Sequence, residues 1–94
     1  MNTTIDLSKR LRILDGVIFR PLDDGAVLLN LISKNYYSLN EIGADMWRIL
    51  AQGASIEQAF DGLLAEYEVE PGVLRADLQR LVEELLEQGL VKIV

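Results

Sequence analysis

The 94-residue chain contains no cysteine and no histidine. The first absence removes disulfides, thiolate nucleophiles and cysteine-based metal sites. The second removes the commonest metal ligand and the commonest acid–base group. There is also no glycine-rich phosphate loop and no paired-carboxylate motif. Ser33, Ser38 and Ser55 have no evident activating base, and turn or cap roles account for them. The expectation is a protein without catalytic activity, cofactor or metal. No apolar run reaches the about 18 residues of a membrane span. The opening MNTTIDLSKR carries only Ile5 and Leu7 as large aliphatics after Met1, too few for a signal peptide. A complete, cytoplasmic small protein away from membranes is expected. Basic residues are few as well: nine against fifteen acidic ones, for a net charge of −6. That field repels phosphate backbones and anionic headgroups and modestly favours cationic partners.

What remains is enough for a core. Half of the residues are apolar, which argues against disorder. The length supports one domain over residues 1–94. The N-terminal third reads as strand. Leu11 and Ile13, then Val17 to Phe19, flank Asp15-Gly16, a pair typical of a type I′ turn, giving an additional hairpin over residues 11–21. Pro21 ends that segment or places it at an edge. After Asp23-Asp24-Gly25, Ala26–Ile32 is a nearly continuous apolar strand, and Ser33-Lys34-Asn35 turns the chain into Tyr36–Leu39.

From Asn40 onward the apolar period becomes 3.6. Asn40 is placed to cap a first helix carrying Ile42, Met46, Ile49 and Leu50, with Gly53 as its stop. Trp47 on that helix reads as a core anchor. Ser55-Ile56-Glu57-Gln58 has the capping-box pattern and opens a second helix through Phe60, Leu63 and Tyr67. Pro71 suits the first turn of a third helix, which carries Leu74, Leu78, Leu81, Val82, Leu85 and Leu86 and stops at Gly89. Val91–Val94 reads as a short final strand. Antiparallel strands followed by three helices make an α+β domain, and the helices have winged helix-turn-helix spacing.

From Val17 to Val94 the sequence resembles the PqqD-like family. The resemblance is carried by Arg20-Pro21, Ala26-Val27-Leu28-Leu29-Asn30 and Tyr36-Tyr37-Ser38-Leu39-Asn40. It continues through Gly43–Trp47, Ser55-Ile56-Glu57, Tyr67-Glu68-Val69 and Gly89-Leu90-Val91. It implies a recognition element of ribosomally synthesised, post-translationally modified peptide (RiPP) pathways. Such an element has three strands before three helices, and it binds the leader of a precursor peptide as an added strand along the third strand, against the third helix. Free-standing members of this size serve pyrroloquinoline quinone biosynthesis and lasso peptide biosynthesis, where a partner protease cleaves the leader. The extra sequence before Val17 favours the lasso type. The implied partners are a precursor leader and a processing enzyme, a leader protease or another maturase.

On that reading the peptide site comprises Asn35, Tyr36, Tyr37, Ser38 and Leu39, facing Leu78, Val82 and Leu86 with Arg75 and Gln79 at the rim. Each side chain also has a plainer reading. Tyr37 and Leu39 share a strand face that suits the core. The apolar stripe of the third helix is as wide as many core-facing stripes, and periodicity leaves open which flank faces an incoming chain. Glu83, Glu84 and Glu87 read as a solvated face. The rival class is a winged-helix DNA-binding regulator. Arg75, Gln79 and Arg80 could serve a recognition helix, but Asp77, three nearby glutamates and the net charge weigh against nucleic acid. A constitutive structural subunit is a further alternative, and the oligomeric state is not legible.

Overall fold

The computed structural model describes residues 6–94. Among these residues, five strands and three helices follow one another: β1 (Leu11–Ile13), β2 (Val17–Leu22), β3 (Gly25–Asn30), β4 (Tyr36–Asn40), α1 (Glu41–Ala51), α2 (Ile56–Glu66), α3 (Pro71–Glu87) and β5 (Val91–Ile93). The fold is α+β, with antiparallel strands leading into three helices. β2, β3 and β4 form an antiparallel sheet in that order, while β1 pairs with β5 in a separate two-stranded ribbon.

That ribbon corrects the expected hairpin over residues 11–21. Leu11 pairs with Ile93 and Ile13 with Val91, whereas Val17–Leu22 pairs with Gly25–Asn30. The turn itself explains the difference. A type I′ hairpin needs positive φ at both central residues. Among the described residues, Lys34 is the only non-glycine with positive φ, so of Asp15 and Gly16 only Gly16 is left-handed, at +85°. This is the requirement of a type II turn, which redirects the chain between two sheets. Pairing with β5 also carries Leu11 and Val91 into the core.

The helix signals act as local chemistry requires. Asn40 Oδ1 accepts from Gly43 N at 2.7 Å. Ser55 and Gln58 form both halves of the capping box. Pro71 occupies the first turn of α3, and Gly53 and Gly89 follow α1 and α3 with positive φ. The core lies between the inner sheet face, represented by Ala26, Leu28 and Leu39, and the apolar stripes of the helices. Trp47 is buried and stacks on Phe19 of β2, with centroids 6.4 Å apart. Among the described residues, no helix is long and apolar enough to cross a membrane.

Candidate functional site

The three-stranded sheet has two outer strands, and they differ in what they offer. Asn30 N donates to Asn35 O, and Leu31 N to Gly16 O. Antiparallel pairs alternate between hydrogen-bonded and non-bonded positions. With the observed register, Leu28/Tyr37 and Ala26/Leu39 are then the bonded pairs between β3 and β4. Tyr36 and Ser38 consequently turn their N–H and C=O groups away from β3, along an open edge. On β2 the outward positions are Val17, Phe19 and Pro21, and proline has no N–H to offer. The β2 edge is thus partly blunted, a common way to protect a sheet. The β4 edge keeps its donors.

Beside that edge lies a groove of about 290 Å³, lined by Tyr37, Ser38, Leu39, Asn40, Ile42, Gly43, Met46, Asp77, Arg80, Leu81 and Glu84. Leu39, Met46 and Leu81 are buried and form an apolar floor. Asp77, Arg80 and Glu84 of α3 form a charged wall, in which Arg80 pairs with Asp77. The Tyr37 hydroxyl donates to Glu84 and links β4 to α3. Burial, and then the bond to Glu84 and its charge, push the Tyr37 phenol up to about 12, against a smaller opposing effect of Arg80.

Two glycines set the geometry at the other end of β4. A Cβ on Gly25 would lie 2.1 Å from the Leu39 carbonyl oxygen, so only glycine permits this approach of β3 to β4. A Cβ on Gly43 would lie 3.1 Å from Asn40 Oδ1, the atom that caps α1.

Of the site residues expected from sequence, Tyr37, Ser38 and Leu39 come together in the groove. Tyr36 is 69% exposed and contributes its edge-facing backbone. Asn35 precedes the strand and is held to Asn30 through its carbonyl. The third-helix residues expected at the site lie elsewhere. Leu78 and Val82 are 2% and 0% exposed within the core, and Arg75 lies over the Phe60 ring of α2 at 5.0 Å. Gln79 and Leu86 share that flank and do not line the groove. At 100° per residue, Asp77, Arg80, Leu81 and Glu84 occupy the opposite side of α3. That side of α3 is mainly polar and broken by Leu81, so apolar periodicity points towards α2 instead.

Comparison with known proteins gives the site its context. Among curated proteins, none matches the sequence significantly. Two solved structures do. One is TbiB1 in complex with the TbiA(beta) leader peptide, at 31% identity and a TM-score of 0.78, covering 86% of this chain and 94% of that one. The other is lasso peptide synthetase B1 complexed with the leader peptide, also at 31% identity and a TM-score of 0.78, covering 88% and 98%. The family model of coenzyme PQQ synthesis protein D (PqqD) matches residues 25–91. That match runs from the first residue of β3 to the first of β5, and the chain belongs to the PqqD family.

Proposed function

We propose that this chain binds the leader segment of a ribosomally synthesised precursor peptide, as an antiparallel strand added to β4, and delivers it to a processing enzyme. The observation that carries this reading is an open strand edge beside an apolar-floored groove. Edge amides supply affinity without reading sequence, and the pocket between strand and helix reads alternate side chains. A lasso-type leader protease is the favoured partner, because both structural relatives hold a leader peptide and one of them is a lasso peptide synthetase B1. The chain itself catalyses nothing. It raises the local concentration of precursor at its partner, which for a short tether reaches the millimolar range, about what a flexible linker gives.

The test is titration with a precursor leader peptide, followed by amide hydrogen exchange. Tyr36 and Ser38 should gain protection, since their N–H groups face the edge. Protection confined to the helices overturns strand addition. Omitting this chain should sharply slow processing of full-length precursor and leave a leaderless core peptide unaffected. Equal stimulation of both substrates would mean direct activation of the enzyme instead.

A further inference from the structure

The molecule is electrically divided. Residues 41–87 hold eleven acidic and three basic side chains, while the remaining strand-bearing segments hold six of the nine cations. Three of these, Arg10, Arg12 and Lys92, lie exposed on the β1–β5 ribbon and its N-terminal approach. Arg12 is directly opposite Lys92, so two like charges share one face of the ribbon. That arrangement is destabilising unless an anion lies between them. Among the described residues, the ion pairs engage Arg48 and Arg80 on the helices, and none engages this trio.

Hydrogen bonds tie the base of the ribbon to the turn before β4 and to the end of α3. Leu14 N donates to Leu90 O at 3.1 Å, and Leu31 N to Gly16 O at 2.9 Å. Asn30 Nδ2 donates to Gly89 O at 3.2 Å. The start of β4, the end of α3 and the start of the ribbon therefore meet at one junction. A peptide antiparallel to β4 passes Asn40 first and leaves beyond Tyr36, towards that junction. The Arg12–Lys92 pair lies two residues further along the ribbon, about 7 Å at the rise of a strand.

We propose that the ribbon is a second contact for the same peptide, taking an acidic stretch on the C-terminal side of the segment bound at β4. The proposal rests on the strand-addition reading. A carboxylate between Arg12 and Lys92 relieves their repulsion, and the acidic helices repel the same group elsewhere. The peptide is thereby held in one direction.

The probe is a peptide selected from a randomised library on the full chain, chosen because it protects Tyr36 and Ser38 from exchange. A tetraglutamate extension at its C-terminus should tighten binding about fivefold at low salt and less at high salt. The same extension at its N-terminus should not. Arg12→Glu should abolish the gain while raising the melting temperature, because it turns a like pair into an opposite one. A ribbon cation with a purely structural role would not give that combination. β4 binders indifferent to the C-terminal extension, or equally helped by either extension, overturn the proposal alone. So does a gain that survives Arg12→Glu. A library yielding only binders that protect other segments removes strand addition and this proposal together.

Discussion

The two flanks of α3 are built from neighbouring residues and do different work. One presents Leu78, Val82 and Leu85 to the core, with Arg75 laid over Phe60 of α2. The other presents Asp77, Arg80, Leu81 and Glu84 to the groove beside β4. The first is nearly continuous hydrocarbon. The second is a charged wall with one apolar residue reaching its floor. A helix that packs on one side and bounds a cleft on the other cannot be wholly apolar on both, because the cleft wall meets water whenever the cleft is empty. The widest apolar stripe therefore marks burial, and the cleft lies beyond its edge.

The largest way to break this contrast is Val82→Asp. A carboxylate with no partner would be placed at a position without solvent access. The fold should lose about 3 kcal/mol or more, visible as a collapsed urea midpoint. Glu84→Gln, on the other flank, should leave that midpoint nearly unchanged. A folded Val82→Asp protein of ordinary stability would mean that the flanks are assigned the wrong way round.

Gly25→Ala comes next. Its new methyl would meet the Leu39 carbonyl, and overpacking against backbone should destabilise the sheet by at least about 2 kcal/mol. Cross-strand nuclear Overhauser contacts between β3 and β4 should be lost first near Asn40. If the register survives with a normal melting temperature, the close approach is dispensable.

Ser38→Pro acts on the edge rather than the fold. It removes an outward N–H and spares the pairs with β3, so stability should hold while affinity for an added strand falls about tenfold. Fluorescence anisotropy with a labelled leader measures it, and unchanged affinity would exclude this part of the edge.

The smallest effect is a titration. Tyr37 is pushed up to about 12 from an ordinary phenol value of about 10. A raised value in the folded state means that the proton adds stability in full below about pH 10, with the contribution lost as the pH climbs towards 12. Tyr67 is also pushed up to about 12, mainly by its bond to Asp45. The measurement therefore needs a Tyr67→Phe background, followed by tyrosinate absorbance. Glu84→Gln should bring the remaining late transition down. If it does not, the tyrosine is not held by the groove wall.

What could be read from the sequence was what local chemistry decides. Asn40 before Gly43, Ser55 before Gln58 and Pro71 at a helix start each act within a few residues. The aromatic strand was legible for the same reason, through alternation over Tyr36–Leu39. The ribbon was not, since Leu11 finds Ile93 across almost the whole chain and the nearby Asp15-Gly16 offered a local alternative. Gly25 reads as a turn residue, yet the need for it comes from the Leu39 carbonyl on another strand. The α3 wall stayed hidden because periodicity measures hydrophobicity, and the groove side is largely charged.

Asn30 has a consequence for the energetics of recognition. It is buried, its amide holds Gly89 O, and its side-chain oxygen accepts from Ile32 N and Ser33 N. It works as a spacer between the two banks of the groove, fastening the turn before β4 to the end of α3. A cleft whose banks are pinned during folding loses little further freedom when it is filled, so the ordering cost of association falls mainly on the incoming chain. Ligands already biased towards extended conformations should then hold an entropic advantage that no change in their side-chain contacts would reveal.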